Sequence, residues 1–429
     1  MKRALALVLL LLLPGCLSGP SGEAGPGGTP PTLTPGVTPP STTPTPSMPT
    51  RPPTPPADAS EADDLVGANN RFALDAFRTL GRESPRENLV VSPYSIATAL
   101  QMLYAGAGGS TREAMAEALR LGAAEPTLHE DAKALLENLT LLDPNVTLAI
   151  GNSLWMERRF APEVNESYVA LVEDAYGGEV HARDFRDPAT VSDINAWASN
   201  KTQGKIDSVL DSIAQDEVLF LLNAVYFKGA WGASFNESCT HRAPFTTDDG
   251  RRVDVDMMCG ATGHAFARTE ERTVARLPYG EGRFAMYLVM PPNGTQLDAF
   301  VAGWNGDLDS GAWSPYVELE MPRLKLATRQ LDLRPLLDEM GMGVAFTTNA
   351  DLSRIAPALA VSRVIHDAVM EVDERGTVAA AVTTVGVVAT SLPPPPTHLA
   401  FDRPFLVAIR DDATGSILFL AKVHDPTST

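Results

Sequence analysis

Proline is concentrated in one stretch near the start of the chain, and this limits where a folded core can form. Of the 35 prolines, 14 lie among the 40 residues from 17 to 56, and most of the other residues there are threonine, glycine or serine. Such a stretch has too few apolar side chains to bury, so we expect it to be disordered and extended. One large folded domain is therefore expected over residues 57–429.

The first 16 residues have the features of an export signal. Lys2 and Arg3 precede an apolar run over residues 4–13, which is too short to span a bilayer. The run leads into Pro-Gly-Cys, and a small residue before a cysteine at the end of a leader resembles a prokaryotic lipobox. The resemblance implies cleavage before Cys16 and a lipid on its sulfur. An ordinary signal peptide with a chance cysteine is the alternative.

A disordered segment after a lipid-bearing cysteine would act as a tether. We therefore expect the domain to be extracytoplasmic, either secreted or anchored to the outer face of the cell membrane through Cys16. The chain has six Asn-x-Ser/Thr sequons, against roughly two by chance, so we expect N-glycosylation, with unmodified asparagines as the alternative. The acceptor residues are Asn138, Asn145, Asn165, Asn200, Asn236 and Asn293.

The two remaining cysteines, Cys239 and Cys259, lie 20 residues apart. Between them, residues 248–250 (Asp-Asp-Gly) are a turn signal with strand-like residues on both sides, which predicts a hairpin that brings the cysteines together. In an oxidising compartment such a pair forms a disulfide. Two buried free thiols are the alternative.

The domain is strongly acidic. Without Lys2, Arg3, Arg51 and Glu23, the 34 basic and 53 acidic residues become 31 and 52, so residues 57–429 carry a net formal charge of −21. Nucleic acid would be repelled by this charge, and we predict no such partner. Motifs of hydrolases, metalloproteases and phosphate-binding loops are absent, and the histidines have no metal-ligand spacing. We therefore predict no catalytic residue, metal or cofactor.

Helical patterns dominate the first third of the domain and strand patterns dominate the rest. Residues 63–80 repeat apolar side chains at helical spacing, Ser92 reads as an N-cap before Pro93, and residues 110–113 (Ser-Thr-Arg-Glu) read as a capping box. Residues 217–227 are almost continuously apolar and are interrupted by one asparagine, which indicates a buried central strand. The predicted class is α+β.

An uncharged segment near the end of the chain does not fit a simple element. Residues 376–392 carry no charge, and four prolines follow at 393–396. The small and β-branched side chains favour a strand, but the prolines forbid a regular strand just beyond it. The segment is either an ordinary buried strand, or a loop in one state and a strand in another.

The sequence around this segment resembles the serpin family. Residues 374–381 (Glu-Arg-Gly-Thr-Val-Ala-Ala-Ala) match the hinge pattern of the family, Glu-x-Gly-Thr-x-Ala-Ala-Ala. Further segments resemble family signatures in the same order along the chain, so that the resemblance spans about residues 60–426. These segments are residues 88–100, 200–206, 222–231, 401–406 and 415–426.

The resemblance implies a fold of three β-sheets, eight or nine helices and an exposed reactive-centre loop. It implies an inhibitor of serine-type endopeptidases that acts as a suicide substrate. The protease cleaves the loop and is trapped as an acyl-enzyme while the loop inserts into the central sheet. An inserting segment must bury no unpaired charge, and the stretch from Gly376 onward meets this requirement. The hinge residues are Glu374, Gly376, Thr377, Ala379, Ala380 and Ala381.

The reactive bond is located by counting along the loop. Members of the family usually place it 16 residues after the hinge glutamate, which gives Thr390–Ser391, with a slip of one residue as the alternative. A small Thr390 after valine and alanine residues suits elastase-like or subtilisin-like serine proteases.

The resemblance also implies a polar cluster beneath the central sheet that controls its opening. Its members in this chain would be Ser92, Ser95, Asn223 and His366. A buried asparagine needs hydrogen bonds, which the histidine and the serines can supply. Unrelated polar groups satisfied within the core are the alternative.

The sequence also allows self-association and two alternative functions. A loop that can add to its own sheet can also add to a neighbour's sheet, so we expect a monomer that polymerises when heated. The fold also serves non-inhibitory carriers or chaperones, in which the loop never inserts. A ligand-binding lipoprotein of the cell envelope would fit the leader and the tether, but it would leave the hinge unexplained.

Overall fold

The structure, a computed structural model, describes residues 65–140, 143–260, 264–315, 317–377 and 396–428. Several sequence predictions fall outside these residues and are not addressed by it. They concern Cys16, the tether over 17–56, the hinge alanines Ala379, Ala380 and Ala381, and the Thr390–Ser391 bond.

The described residues form eight α-helices and three short 3-10 helices. The α-helices are α1 (Leu65–Glu83), α2 (Pro93–Ala105), α3 (Gly109–Ala118), α4 (Leu128–Thr140), α5 (Glu166–Tyr176), α6 (Ala189–Lys201), α7 (Leu297–Gly303) and α8 (Arg334–Glu339). The 3-10 helices are Gly122–Thr127, Arg158–Glu163 and Gly343–Phe346. Within the same ranges, no helix has both the length and the apolar character needed to cross a lipid bilayer.

The described residues also form sixteen strands. The first eight are β1 (Leu89–Val91), β2 (Val146–Glu157), β3 (Glu179–Arg183), β4 (Leu219–Ala230), β5 (His241–Thr246), β6 (Arg252–Gly260), β7 (Ala265–Arg268) and β8 (Thr273–Pro278). The others are β9 (Phe284–Met290), β10 (Val317–Pro322), β11 (Leu324–Asp332), β12 (Arg363–Val372), β13 (Gly376–Thr377), β14 (Thr397–Ala400), β15 (Phe405–Asp411) and β16 (Ile417–Val423).

These strands build three sheets. The central sheet has the order β11-β12-β4-β2-β3, with β13 paired to β4; the second sheet is β1-β16-β15-β9-β8-β7, and the third is β14-β10-β6-β5. The α+β prediction and the three-sheet architecture are therefore confirmed. The strand predicted over residues 217–227 is also confirmed: β4 runs from Leu219 to Ala230 and is buried at every position except Lys228, which is half-buried.

Helix α2 lies between the central and second sheets, where it packs against β2, β4 and β16. Every one of its residues is buried, and its start is the predicted one, because the Ser92 hydroxyl accepts the N–H of Ser95 and Pro93 occupies the first turn. The capping box predicted at Ser110 is wrong. Helix α3 begins at Gly109 after Gly108, whose N–H binds the carbonyl of Asp351.

The strands β4 and β12 are parallel neighbours in the middle of the central sheet. Their register runs through seven residue pairs, from Phe220–Arg363 to Tyr226–Val369. Both strands continue beyond the last pair, β12 to Val372 and β4 to Ala230, without pairing to each other there. We call this pairing the β4–β12 seam.

Helix α6 covers the outer face of the seam. Its residues Ile194, Trp197 and Ala198 share an apolar cluster with side chains of β4 and β12, including Leu222 and Ile365. This cluster lies on the opposite side of the central sheet from α2. Any strand that entered the seam would therefore lie between two packed layers.

The approach of α6 to the sheet depends on Gly151 in β2. A Cβ atom added at Gly151 would lie 2.9 Å from the Cβ and Cγ atoms of Lys201 and 3.2 Å from Cη2 of Trp197. We expect Gly151→Ala to lower stability by about 1–3 kcal/mol, although alanine normally suits a strand better than glycine. Thermal unfolding followed by circular dichroism measures the change.

Gly303→Ala is the matched control. Gly303 is exposed, and an added Cβ would have no heavy atom within 4 Å. The thermal unfolding midpoint of the Gly303→Ala variant should stay near that of the unchanged protein. Equal midpoints for the two variants would contradict the close packing of α6.

Candidate functional site

The described part of the hinge has joined the central sheet. After β12 the chain turns through Asp373 to Gly376, closed by hydrogen bonds between Asp373 N–H and Gly376 O (2.9 Å) and between Gly376 N–H and Asp373 O (3.2 Å). The two residues of β13 then run antiparallel to β4, with Gly376 opposite Ala230 and Thr377 opposite Gly229. The hinge thus begins at the end of β4 that β12 leaves unpaired.

Glycine is required at position 376. Its φ is +138°, and a Cβ there would lie 2.1 Å from the carbonyl oxygen of Gly229 and 2.8 Å from Cα of Ala230. A larger residue would have to push β13 away from β4. This explains in physical terms why the hinge pattern contains a glycine.

Thr377 is fully buried and its hydroxyl lies 2.7 Å from the hydroxyl of Tyr279. Tyr279 is itself buried and stacks on Trp231 with ring centroids 4.5 Å apart. Burial raises the pKa of Tyr279 well above its usual range, so its hydroxyl stays neutral and can share a proton with the threonine. The indole N–H of Trp231 donates to Asp373 O at 2.9 Å. The stacked rings of Trp231 and Tyr279 therefore bind both the turn and the hinge.

Glu374 is the most strongly held residue of the hinge. It is 4% exposed, and Arg323 donates to it through Nη2 (2.6 Å) and Nε (3.0 Å). The hydroxyl of Thr240 donates to the same carboxylate at 2.6 Å. Burial alone would raise the pKa of Glu374, but these hydrogen bonds outweigh it and hold the pKa below its usual range. The carboxylate is therefore charged and fully engaged at neutral pH.

The four residues of the expected polar cluster lie together beneath the seam. His366 and Asn223 are opposite each other in the β4–β12 register, with Nδ1 of the histidine 2.5 Å from Oδ1 of the asparagine. The amide group of Asn223 also donates to the hydroxyl of Ser95. The hydroxyl of Ser92 donates to Leu418 O at 2.6 Å, which connects the cluster to the second sheet.

The hydrogen bonds fix the protonation state of His366. The N–H of Ser92 lies 3.2 Å from Nε2, and a backbone N–H can only donate, so Nε2 accepts. The proton is then on Nδ1 and is donated to Asn223. Burial lowers the pKa of His366 to about 3, which keeps the ring neutral over the physiological range.

Sequence reasoning missed several residues of this site. Asn152 on β2 faces Asn223 and accepts from its amide at 2.5 Å, which extends the polar cluster to a third strand. Thr240, Arg323 and Tyr279 hold the hinge from distant parts of the chain. Asn152 had a local signal, because it is a polar residue on the inner face of an alternating strand; the other three had none.

The predicted cysteine pair lies beside the hinge. The structure joins Cys239 and Cys259 as a disulfide with Cα atoms 5.8 Å apart. The hairpin predicted between them is confirmed, since β5 pairs antiparallel with β6 from His241–Met257 to Thr246–Arg252. Cys239 is exposed and Cys259 is buried.

Five of the six predicted glycan acceptors are exposed, and the sixth, Asn145, is half-buried. The exposed asparagines are Asn138, Asn165, Asn200, Asn236 and Asn293. Among the described residues, no group of three or more His, Cys, Asp or Glu side chains is arranged to hold a metal ion.

Comparisons with known proteins show that the folded part of this chain is similar in sequence and structure to the members of one family. A sequence profile of the family described as Serpin (serine protease inhibitor) matches residues 67–426. A mouse protein named as a serine protease inhibitor is 34% identical over 377 residues, which cover 84% of each chain. Human corticosteroid-binding globulin is 32% identical over 374 residues, 84% of this chain and 90% of its own.

Structural similarity agrees with sequence similarity. The crystal structure of human thyroxine-binding globulin matches with a TM-score of 0.76 and 27% identity, over 86% of this chain and all of that one. One of these three relatives is named as a protease inhibitor and two are named as binding globulins. The shared fold therefore does not by itself select one activity.

Asp367 is a buried carboxyl at the seam. It follows His366 on β12, is fully buried, and accepts the N–H of Gln330 at 3.0 Å through Oδ1. Its second oxygen has no hydrogen-bond partner among the described residues. Burial raises the pKa of Asp367 to about 6, so the carboxylate is charged at neutral pH and only partly compensated.

This raised pKa predicts a pH-dependent effect of Asp367→Asn. The carboxyl titrates near 3.9 in the unfolded chain and near 6 in the folded one, so its charge destabilises the fold above about pH 6 and has no effect below about pH 4. We expect Asp367→Asn to stabilise the protein by on the order of 1–3 kcal/mol at pH 8, with little change at pH 4. Thermal midpoints at both pH values measure this.

The exposed Asp207 provides the control. Asp207→Asn should shift the thermal midpoints at pH 8 and at pH 4 by similar small amounts. If Asp367→Asn also gave the same shift at pH 8 and pH 4, the buried charge would not be the cause.

Proposed function

The chain belongs to the serpin family, and on this premise we propose that it inhibits serine-type endopeptidases as a suicide substrate. The observation that carries the proposal is the start of β13. The hinge enters the central sheet beside β4, at the point where the seam is already open, and in the direction that insertion requires.

The directions of the strands make insertion energetically favourable. Because β4 and β12 are parallel, a strand that runs antiparallel to one of them is antiparallel to both. Insertion would therefore replace one parallel ladder with two antiparallel ladders, which are slightly more stable per residue and pair more backbone groups. The intact protein would be a metastable state that cleavage of the loop releases.

The register of β13 predicts how the inserted loop would pack. Extending the Gly376–Ala230 and Thr377–Gly229 pairs puts Ala379 opposite Phe227 and Ala381 opposite Val225. Both β4 side chains are buried in the core on one side of the sheet. Small hinge residues fit beside them without displacing that core, which supports an inserting role for the hinge.

The same register puts Thr383 opposite Asn223, between Asn223 and His366. Its hydroxyl can donate to Asn223 Oδ1 and accept the Nδ1 proton of His366. The hydrogen bond that closes the seam would thus be replaced without leaving either group unpaired. We propose on this ground that Ser92, Ser95, Asn152, Asn223 and His366 form the gate for insertion.

The proposed reaction uses the chemistry of the protease. Its serine attacks the carbonyl carbon of Thr390, the peptide bond to Ser391 breaks, and Ser391 leaves with a new amino group. Thr390 remains esterified to the protease serine. Insertion from Thr377 to Thr390 would then carry the protease about 40 Å along the sheet, and the acyl-enzyme would be trapped before water hydrolyses it.

The specificity and the location are further parts of the proposal. Thr390 with its small neighbours favours elastase-like or subtilisin-like proteases. We propose that Cys16 carries a lipid, that residues 17–56 tether the domain over residues 57–429 outside the cytoplasm, and that the exposed sequons carry glycans. The protein would be a monomer, with a tendency to form loop-sheet polymers when heated.

The direct test is to incubate the full chain with an elastase-like and a subtilisin-like protease. A covalent complex that survives denaturing electrophoresis, with a released peptide that begins at Ser391, is the expected result. Cleavage with full protease activity remaining in every case would contradict inhibition. It would favour the carrier function that the names of two relatives suggest for this fold.

A substitution at Thr377 should convert the protein from an inhibitor that traps the protease into a substrate that is simply cleaved. Thr377→Arg would put a cation into the fully buried site beside Tyr279, so insertion should become too slow to trap the acyl-enzyme. We expect the number of inhibitor molecules consumed per protease trapped to rise about tenfold or more. Titration of residual protease activity measures this ratio.

Val378→Glu, at the next position, is the matched control. In the proposed register residue 378 faces the other side of the sheet, opposite the half-buried Lys228. This variant should trap protease nearly as well as the unchanged chain. If both variants trapped equally well, trapping would not need an uncharged residue at position 377, and the proposed insertion through this site would be contradicted.

A further inference from the structure

The segment over residues 235–240, which we call the clamp segment, holds the hinge from outside the central sheet. The N–H of Phe235 donates to Glu374 O at 2.9 Å, and the hydroxyl of Thr240 donates to the Glu374 carboxylate at 2.6 Å. Glu237 accepts from Nε of Arg375 at 2.8 Å. Three contacts thus connect the clamp segment to the first two residues of the hinge.

The clamp segment has little secondary structure of its own. It precedes β5, and its residues from 236 to 239 are exposed. It is attached to β6 by a hydrogen bond from the N–H of Asn236 to Cys259 O (3.1 Å) and by the Cys239–Cys259 disulfide. Cys259 lies within the third sheet, where it faces Glu320 of β10. The disulfide is therefore a second covalent link between the third sheet and the loop that contacts the hinge, beside the peptide bond from Thr240 to His241 of β5.

We propose that the Cys239–Cys259 disulfide positions the hinge, and that its reduction loosens the hinge and promotes opening of the central sheet. The proposal rests on the inhibitory function proposed above, because it concerns the same hinge. Thr240 follows Cys239 directly, so the position of its hydroxyl depends on the bond. Without the bond, Phe235 would stay buried in the core, but the exposed residues 236–239 would be held by single hydrogen bonds and an exposed ion pair, which are weak restraints.

The chemistry is a thiol–disulfide exchange with a dithiol. A thiolate of the dithiol attacks Sγ of the exposed Cys239, the S–S bond breaks, and Cys259 leaves as a thiolate. The second sulfur of the dithiol then attacks the mixed disulfide and releases Cys239. The dithiol is oxidised to its disulfide, and its two protons end on the two cysteines.

The expected consequence is a change in the intact protein before any protease acts. Glu374 would lose the Thr240 hydrogen bond for part of the time and would depend on Arg323, whose side chain is 46% exposed. The turn and β13 would then open more often. Amide exchange at residues 374–377 should become faster, and polymerisation on heating should accelerate about fivefold or more.

The experiment uses the full chain with dithiothreitol as the dithiol. Intact mass under non-reducing conditions first establishes that the two cysteines are bonded; free thiols in the isolated protein would overturn the proposal. Hydrogen exchange of the hinge peptide and the rate of heat polymerisation are then compared before and after reduction. The Cys239→Ser/Cys259→Ser double variant should match the reduced protein and should not respond to dithiothreitol.

A second pair of variants separates an action on the hinge from general destabilisation. Thr240→Val keeps the disulfide and removes the hydroxyl that binds Glu374, so it should reproduce much of the effect of reduction, and reduction should then add little. Thr246→Val is the matched control, since this exposed threonine of β5 lies in the same hairpin. It should leave hinge exchange unchanged and keep the full response to reduction.

The outcomes are distinguishable. Equal hinge exchange in the oxidised and reduced proteins would overturn the proposal, as would fully additive effects of Thr240→Val and reduction. Failure of the oxidised protein to trap any protease would contradict the proposed inhibitory function instead. In that case, the hydrogen-exchange experiment would still show whether the clamp segment holds the hinge.

Discussion

The parallel pairing of β4 and β12 is the constraint on which the other features depend. A sheet with this seam can accept one more strand, antiparallel to both neighbours, and the direction of β13 is the required one. Buried layers on both faces, α2 on one side and α6 on the other, mean that only an uncharged and narrow segment can enter. The composition of residues 376–392 meets this condition, which supports the proposal that this segment inserts at the seam.

Two sets of polar contacts restrain the seam in its closed form. At its middle, Asn223 and His366 bind each other across the two strands, and the hydrogen bonds extend to α2 and β2. At its open end, Glu374 is held by Arg323 and Thr240. Asn223, His366 and Glu374 are buried, where an unpaired polar group is expensive, so each set resists opening unless a new partner replaces the old one. Restraints of this kind would let the proposed metastable state persist until a protease cleaves the loop.

Local patterns in the sequence predicted a large share of this arrangement. Asn223 stood out because it interrupts an apolar strand, and the start of α2 followed from Ser92 and Pro93. Contacts between distant residues could not be predicted in this way: Thr240 lies 134 residues from Glu374, and Arg323 lies 51 residues from it. The capping box at Ser110 failed for a similar reason. Gly108 is bound to Asp351, far along the chain, and this tertiary contact sets where α3 begins.

The thermal stability of the chain cleaved in its loop tests the central claim most directly. A protease that cuts near Thr390 produces the cleaved form, and its thermal midpoint is compared with that of the intact protein under the same conditions. If the seam accepts the loop as a new strand, the midpoint should rise by about 20 °C or more, because a whole strand with its two ladders joins the sheet. An unchanged or lower midpoint would show that the loop does not insert, and the account of the seam would be wrong.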